Sequence, residues 1–235
     1  LDDPSGRYGA FLDRWYAERV RGDAKVREMV ERIYVESDGG GFDAQECERL
    51  RTLFRHGASA RILCVTRVLD SGAERINARL HRRAAEAARL SAERRPFLPN
   101  EPVIVLRNDY ERMLFNGDQG LVLRVRQPNA ETALMAVFPR DDNFVAFRID
   151  GLREDLELCY AMTVHKAQGS EFDSVAVIMP EDDIPLLSRE ILYTAVSRAR
   201  KSVAIVGRSE IIRAAISRRM ERYCGLREQL AAMLG

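Results

Sequence analysis

Residues 161–173 read AMTVHKAQGSEFD, an apolar start that gives way to polar residues and a glycine. This pattern is typical of a buried strand that ends in a turn. Other strand-sized apolar runs occur at residues 62–65, 175–179 and 203–206. Helical patterns lie between these runs, and such alternation predicts an α/β fold built on a parallel sheet.

The first 57 residues are predicted to form a helical segment. Apolar residues recur there at intervals of three and four over residues 8–20 and 26–34. A third helix is expected to open at Asp43, because Glu46 stands in the position of a capping-box partner. The segment as a whole therefore predicts three short helices ahead of the first buried strand.

The region from residue 97 to residue 155 has the pattern of short strands. Turn residues separate the apolar runs, which favours hairpins. We interpret the region as a small antiparallel barrel inserted into the larger fold. Its strands are predicted at residues 103–106, 120–125, 133–138 and 145–149.

Residues 58–96 and 156–235 are assigned to the parallel-sheet domain. Its long helix, residues 73–95, carries arginines and His81 on one side, which we interpret as a solvated face. Ser209 is expected to cap a later helix. The other elements are predicted as strands at residues 62–65, 158–162, 175–179 and 203–206 and helices at residues 165–169, 189–199, 209–219 and 226–234.

The composition is that of a folded protein and excludes some classes. The hydrophobic fraction is 46% and the net charge is +1, so no overall basic field indicates nucleic acid. No apolar run is long enough to cross a bilayer. The four cysteines are far apart, which favours reduced thiols in a cytoplasmic protein. The start at Leu1 has neither an initiator methionine nor a signal-peptide layout, so we expect a piece of a longer protein.

The run at residues 161–173 resembles motif V of superfamily 1 helicases, and its form TVHKxQGSEF resembles the RecD branch. The resemblance implies a RecA-like second motor domain in which Thr163 and His165 contact the phosphates of single-stranded DNA. Gly169 and Glu171 are expected to face the ATP ribose, with Gln168 as a third nucleotide-binding residue. Hydroxyl, imidazole and backbone N–H groups at the end of a strand suit phosphate binding. A solvated turn would account for any two of these residues, but it fits the whole run poorly.

The run LYTAVSRAR at residues 192–200 resembles motif VI of the same helicases. Its apolar residues are expected to form the buried stripe of a helix, with Arg198 facing out. The resemblance implies that Arg198 is an arginine finger, which reaches the γ-phosphate of ATP held by the neighbouring motor domain. An arginine on a helix is otherwise usually a solvated residue.

Arg67 closes the run LCVTR at residues 63–67, which resembles motif IV. The motif IV arginine also contacts nucleotide phosphates, so Arg67 and Arg198 are expected to sense the same γ-phosphate. A plain charge at the end of a strand is the competing interpretation.

The insert carries RNDY at residues 107–110 and LFNGDQG at residues 114–120, which resemble signatures of the SH3-like barrel in RecD proteins. In that family the barrel lies beside the single strand. Arg107, Asn108 and Tyr110 are therefore candidates to contact DNA through a charge, an amide and a stacking ring. The second run equally suits a purely structural hairpin turn.

A Walker A loop requires Gly-Lys-Ser/Thr, yet the three lysines follow Ala24, His165 and Arg200. Neither a carboxylate pair for magnesium nor ligand spacing typical of a metal site is evident. ATP and Mg²⁺ are thus expected to be held mainly by a first motor domain outside this chain. The chain alone is predicted not to hydrolyse ATP.

Together these features predict the C-terminal half of an ATP-dependent 5′-to-3′ DNA helicase of the RecD type. The expected partners are single-stranded DNA, the first motor domain and, in an exonuclease V complex, further subunits, with no membrane. A stand-alone or relaxase-linked RecD-like helicase fits the same residues. The alternative from another class is a DNA- or protein-binding module on a RecA-like scaffold without motor function.

Overall fold

Two β-sheets form the centre of the structure, a computed structural model in which residues 7–92 and 95–220 are described. The helices are α1 (Arg7–Trp15), α2 (Ala24–Glu31), α3 (Ala44–Ala58), α4 (Ala73–Ala87), α5 (Arg189–Val196) and α6 (Ser209–Ser217). The strands are β1 (Ile33–Val35), β2 (Ala60–Cys64), β3 (Pro102–Val105), β4 (Gln119–Arg126), β5 (Thr132–Arg140), β6 (Asn143–Arg148), β7 (Leu156–Leu158), β8 (Ala161–Thr163), β9 (Phe172–Ile178) and β10 (Ala199–Val206). A π-helical turn, Tyr16–Val20, extends α1, and a 3-10 turn, Ile149–Gly151, follows β6.

One sheet, which we call the parallel sheet, has four strands in the order β10-β9-β2-β8. Its central strands β9 and β2 are almost fully buried because helices cover both faces. On one face α1 and α4 pack through Leu12, Ile76 and Leu80, and on the other α5 and α6 pack through Ile191 and Ile211. The α/β fold with a parallel sheet is therefore confirmed.

The other sheet, which we call the antiparallel sheet, has the order β6-β5-β4-β3-β7 with antiparallel neighbours. Leu50 and Leu53 of α3 pack on one of its faces against Leu121 and Leu123. A second apolar cluster, which includes Phe138, fills the other face. The short antiparallel strands occur where the turn pattern indicates, while the assignment of this sheet as an SH3-like barrel stays a prediction.

The N-terminal segment differs from the all-helical prediction. The second helix ends at Glu31 instead of residue 34, because Ile33–Val35 pairs in parallel with the end of β4. Tyr34 is fully buried in this strand, and its hydroxyl donates to the Met29 carbonyl. Because α1 packs on the parallel sheet while α2 and α3 pack on the antiparallel sheet, the segment contributes to both cores.

Three later helices end earlier than predicted. α4 ends at Ala87 instead of residue 95, and Arg89 just beyond it has a positive φ of 55° that stops the helix. α5 ends at Val196 and α6 at Ser217. Arg198 therefore lies outside α5, at the entrance to β10, and not on the helix as predicted.

The two predicted caps have different outcomes. The Asp43 carboxylate accepts the backbone N–H of Glu46 at 2.7 Å, which confirms the start of α3. Ser209 does not cap α6; Arg208 stands at the N-cap position, and its side chain makes no capping hydrogen bond to the helix. The predicted helix at residues 226–234 lies outside the described residues.

Residues 158–162 form parts of two strands instead of one, because the Asn77 side chain intervenes. Its amide nitrogen donates to the carbonyls of Leu158 at 2.7 Å and Ala161 at 3.0 Å, and its amide oxygen accepts the N–H of Ala161 at 2.8 Å. These bonds hold the chain where it leaves β7 of the antiparallel sheet and enters β8 of the parallel sheet. Residues 165–169 form turns and not the predicted helix.

Arg61 joins the two sheets from inside the protein. Its buried guanidinium donates to the Cys159 carbonyl and, at 2.9 Å, to the Gln119 side-chain carbonyl. The same group lies over the Phe172 ring, 5.3 Å from its centroid. One β2 residue thus contacts the antiparallel sheet, the β7–β8 connection and β9.

Three of the cysteines, Cys47, Cys64 and Cys159, are buried and free, while Cys224 lies outside the described residues. Within residues 7–92 and 95–220, no helix combines the length and the apolar character needed to span a bilayer. The same ranges contain no cluster of three or more histidine, cysteine or acidic side chains placed to hold a metal ion.

Candidate functional site

Residues 163–171 cross the parallel sheet from its carboxyl end to its amino end. Thr163 aligns with Cys64, which aligns with Ile178 at the end of β9. Phe172 begins β9 and aligns with Ala199 at the start of β10. At about 3.3 Å per residue, the two ends of β9 lie roughly 20 Å apart. The motif V run therefore begins at the carboxyl ends of the strands and ends at their amino ends.

Two buried residues fix this crossing segment to the core. Val164 and Ala167 are both buried in the apolar cluster between β9 and α5. The Val164 N–H donates to the Cys64 carbonyl at 3.0 Å, which keeps the segment in register as it leaves β8. His165, Gln168 and Gly169 between and beyond them are exposed. The polar residues of the run thus face solvent on a backbone that the apolar residues hold in place.

Arg198 lies at the amino end of the sheet, beside the end of this run. Its guanidinium donates to the Thr194 carbonyl at 3.2 Å, to the Ser170 carbonyl at 3.4 Å and to the Ser197 hydroxyl at 3.2 Å. The Arg198 carbonyl also accepts the N–H of Phe172 at 2.8 Å. Among the described residues, no carboxylate forms an ion pair with it. The guanidinium is half-buried and oriented, and no carboxylate in the described part of the chain offsets its charge.

The predicted nucleotide-binding residues lie next to Arg198. Glu171 forms an ion pair with Arg200 at 2.9 Å, on the exposed side of the β9–β10 entrance. Gly169 has a φ of 87°, a conformation that residues with a Cβ rarely adopt. Gly169 and Glu171 flank Ser170, whose carbonyl accepts from Arg198, so these residues lie close together at the amino end of the sheet.

α5 positions this region through its buried side. Ser188 caps the helix by accepting the Ile191 N–H at 3.3 Å. Of the predicted buried stripe, Ile191, Leu192 and Ala195 are buried, whereas Val196 is partly buried and Ala199 belongs to β10. Tyr193 on the opposite side is 70% exposed, so this side of the helix presents an aromatic ring to solvent near the arginine.

The carboxyl end of the sheet carries Thr163 beside a cluster of charges. Thr163 lines a cavity of about 230 Å³ between the two sheets, together with Arg67 and Lys166. Arg67 pairs with Glu74 at 2.7 Å and with Glu157, which also accepts Lys166 at 3.4 Å. The proximity of Glu157, and then the hydrogen bond to Glu74, raise the pKa of Arg67 above its ordinary value. Here two cations are already neutralised by two carboxylates.

This geometry corrects the expectation that Arg67 and Arg198 sense one γ-phosphate. Arg67 follows the carboxyl end of β2, three residues beyond Cys64, whereas Arg198 precedes the amino end of β10. The register puts roughly 20 Å of sheet between these ends, far more than one phosphate group can bridge. Arg67 shares its edge with Thr163 and not with Arg198.

The three candidates in the antiparallel sheet lie in one exposed loop. Arg107 is 79% exposed and Tyr110 is 76% exposed. Asn108 has a local structural role, because its side chain donates to the Tyr110 hydroxyl at 3.3 Å and accepts the Asn116 N–H at 2.9 Å. Sequence reasoning missed Phe115, which is also exposed and meets the Tyr110 ring edge-on at 6.3 Å.

His81 does not lie on a solvated face as predicted. Its Nδ1 is 2.7 Å from the carboxylate of Glu101, which is fully buried and also accepts the Tyr160 hydroxyl at 3.1 Å. This hydrogen bond, more than the proximity of the charge, raises the pKa of His81 above 6.5, although burial opposes it. The pair connects α4 to the chain entering β3, and no short-range spacing in the sequence indicates it.

Comparison with known proteins identifies relatives of this chain. The family described as the UvrD-like helicase C-terminal domain matches residues 158–206, from the end of β7 to the end of β10. The chain is 39% identical to the RecBCD enzyme subunit RecD of Mycobacterium tuberculosis over 181 residues, which cover 77% of this chain and 30% of that protein. It is 38% identical to the ATP-dependent RecD2 DNA helicase of Deinococcus radiodurans over 135 residues, 57% of this chain and 18% of that protein.

Among solved structures, the chain is similar to Pif1 helicase from Bacteroides in complex with ADP-AlF3 and ssDNA. The TM-score is 0.41 at 19% identity, and the match covers 90% of this chain and 54% of that one. Similarity at this level assigns no residue a role. The chain spans about 30% of the length of the RecD subunit of Mycobacterium tuberculosis. The family match and the RecD relatives together show that the chain belongs to the RecD-type superfamily 1 DNA helicases and corresponds to their C-terminal part.

Proposed function

We propose that this chain is the second motor domain of an ATP-dependent 5′-to-3′ DNA helicase. In this proposal the two ends of the parallel sheet have separate roles. The amino end of the parallel sheet, which we call the nucleotide edge, faces ATP that the first motor domain holds. The carboxyl end, which we call the DNA edge, contacts single-stranded DNA. The observation that carries the proposal is the crossing of residues 163–171 from one edge to the other, with Arg198 beside the Ser170 carbonyl.

At the nucleotide edge, Arg198 acts as the arginine finger. Its guanidinium is oriented by neutral oxygens, so it keeps a full charge for a phosphate that arrives from a neighbouring domain. Gly169, Gln168 and Glu171 lie in the same turn region and suit contacts to the rest of the nucleotide. Glu171 is already paired with Arg200, so it is poorly suited to hold magnesium. ATP and Mg²⁺ are therefore held mainly by the first motor domain.

At the DNA edge, Thr163 and His165 offer a hydroxyl and an imidazole to phosphates of the strand. Arg67 joins them there as a phosphate contact. In the antiparallel sheet, Arg107, Asn108 and Tyr110 extend the DNA path as part of an SH3-like barrel, with Tyr110 and Phe115 as stacking rings. The partners are single-stranded DNA, the first motor domain and, in an exonuclease V complex, its other subunits.

Substitution of Arg198 by alanine in the complete helicase tests the nucleotide edge. ATP turnover is expected to fall by about 10³- to 10⁵-fold, the range for loss of an arginine finger, while nucleotide binding is retained. Lys201→Ala is the matched control, because Lys201 is three residues away and pairs with Asp173, outside the proposed nucleotide site. Steady-state ATPase rates and fluorescent-nucleotide binding give the two readouts.

Unchanged turnover by the Arg198→Ala enzyme would favour the second candidate, a DNA- or protein-binding module without motor function. The exposed aromatic loop around Tyr110 is the observation that favours that candidate. The purified chain alone is expected to bind single-stranded DNA weakly, with affinity that falls as salt rises, and to show no ATP turnover. Robust turnover by the chain alone would reject the division of the ATP site between two domains.

A further inference from the structure

Glu157 is the shared partner of both cations at the carboxyl end of the parallel sheet. Its Oε1 accepts Arg67, which follows β2, and its Oε2 accepts Lys166, which follows β8, at 3.4 Å. Glu157 itself belongs to β7 of the antiparallel sheet, where it aligns with Ile104. One carboxylate from one sheet thus holds two cations from the other.

The arrangement has the charge pattern of a phosphate-binding site in which the protein's own Glu157 carboxylate takes the place of the phosphate. A carboxylate and a phosphodiester both present two oxygens that share a negative charge, and both accept charge-assisted hydrogen bonds from arginine and lysine. The cavity of about 230 Å³ beside Glu157 is lined by the same Arg67 and Lys166 and by Thr163. A phosphate that entered this cavity would contact Arg67 and Lys166, the two side chains that Glu157 now contacts.

These ion pairs are poor candidates for a structural role. The side chains of Arg67, Lys166 and Glu157 are 57%, 34% and 31% exposed, and exposed pairs contribute little to stability. The connection between the two sheets is made instead by the buried Arg61 and by Asn77. Loss of Glu157 is therefore expected to leave the fold intact.

We infer that Glu157 is an internal surrogate for a DNA phosphate, which holds Arg67 and Lys166 until a strand displaces it and so weakens the binding of single-stranded DNA. The inference rests on the proposed DNA edge and adds a residue that opposes binding there. Displacement frees the carboxylate of β7 from both cations, so DNA binding also removes an electrostatic link between the two sheets.

Glu157→Gln in the 235-residue chain tests the inference directly. Its affinity for a fluorescein-labelled oligothymidylate, measured by anisotropy at low salt, is expected to rise about three- to tenfold, because two exposed ion pairs no longer compete with DNA. The gain should shrink as salt rises, since the competing pairs are screened. Glu157→Asp, with a shorter side chain that reaches the two cations less well, is expected to give a smaller gain.

Two controls separate this mechanism from a general change of charge. Glu131→Gln removes the same charge from an exposed position before β5 and is expected to leave the affinity unchanged. In a chain that carries Arg67→Ala and Lys166→Ala, Glu157→Gln is expected to give no gain. An equal gain from Glu131→Gln, or a gain that persists without the two cations, overturns the inference.

The outcomes also separate this inference from the proposed function. If the wild-type chain binds DNA and Thr163→Val weakens binding, but Glu157→Gln binds no better than wild type, the DNA edge stands and the surrogate role fails. Failure of both Glu157 variants to fold, judged by thermal unfolding, makes Glu157 structural and also overturns the inference. If neither the wild-type chain nor any variant binds DNA, the DNA edge itself fails and the inference fails with it.

Discussion

The two ends of the parallel sheet hold their arginines in opposite electrostatic settings. Arg198 at the amino end donates to carbonyl and hydroxyl oxygens, including that of Ser170. Arg67 at the carboxyl end donates to the carboxylates of Glu74 and Glu157. A neutral acceptor orients a guanidinium and leaves its charge in place, whereas a carboxylate orients the guanidinium and also offsets its charge. Arg198 is thus ready for an arriving anion, while Arg67 must exchange one anion for another.

This difference suits two kinds of ligand. The γ-phosphate of ATP must be met with fixed geometry at one moment of the reaction, and an oriented, uncompensated charge meets it without prior rearrangement. A DNA strand must be held and released repeatedly, and a site with an internal competitor binds it less tightly. The segment from Thr163 to Glu171 connects the two ends, and the buried Val164 and Ala167 anchor its backbone in the core.

The largest test of this comparison replaces each arginine by lysine in the complete helicase. Arg198→Lys keeps the charge but loses the planar fork, so ATP turnover is expected to fall by about 100-fold or more. Arg67→Lys is expected to leave turnover within about threefold and DNA affinity nearly unchanged, because a phosphate contact accepts a point charge. Steady-state ATPase rates give the turnover of each variant, and fluorescence anisotropy with labelled DNA gives its DNA affinity.

The comparison fails if the two lysine variants lose turnover equally. That result would mean that Arg67 also reaches the nucleotide, against the roughly 20 Å that the strand register places between the two ends.

A smaller effect is expected from Gly72→Ala at the start of α4. A Cβ on Gly72 would lie 2.6 Å from the Arg67 carbonyl carbon and 2.7 Å from the Leu69 oxygen, so the turn that positions Arg67 must shift. We expect a loss of about 1–3 kcal/mol in the free energy of unfolding and weaker DNA binding, with nucleotide binding unchanged. Urea denaturation and DNA anisotropy measure the two effects.

Gly39→Ala is the matched control for this substitution, because a Cβ there meets no atom within 4 Å. A Gly72→Ala chain as stable as the Gly39→Ala chain would show that the turn adapts freely. The position of Arg67 would then not depend on this glycine.

The parts of the fold that local patterns determine were predictable from the sequence. The strands β2 and β9 follow from their continuous apolar runs, and three buried residues of α5 follow from helical periodicity. The split between β7 and β8 was not predictable, because it depends on Asn77, which is 81 and 84 residues from its two carbonyl partners. Strand β1 was missed for the same reason, since its partner β4 lies far along the chain.

The candidate site shows the same limit. The motif V and motif VI runs indicated the residues that meet at the amino end, because each run is local. The end of the sheet at which Arg67 lies depends on strand register, which one sequence does not display, and the pairing of Arg67 with Arg198 was wrong for that reason. Glu157 resembled an ordinary polar residue between two apolar ones until the fold brought Arg67 and Lys166 to it.

The smallest expected effect concerns the far end of α4, the helix that begins beside Arg67 and carries His81 to Glu101. Because Glu101 raises the pKa of His81 in the folded state, the stability from this pair is fully present below pH 6.5 and is lost as the pH rises through the folded pKa. Urea denaturation is expected to show a free energy of unfolding that is lower at pH 8 than at pH 6, by on the order of 1 kcal/mol, and this difference should disappear in His81→Gln. His56→Gln is the control, because the His56 ring meets a neutral acceptor, the Val20 carbonyl, at 3.2 Å. The same pH difference in wild type and His81→Gln would mean that the His81–Glu101 pair does not stabilise this end of α4, and that the helix is held there by Leu80 and its apolar neighbours alone.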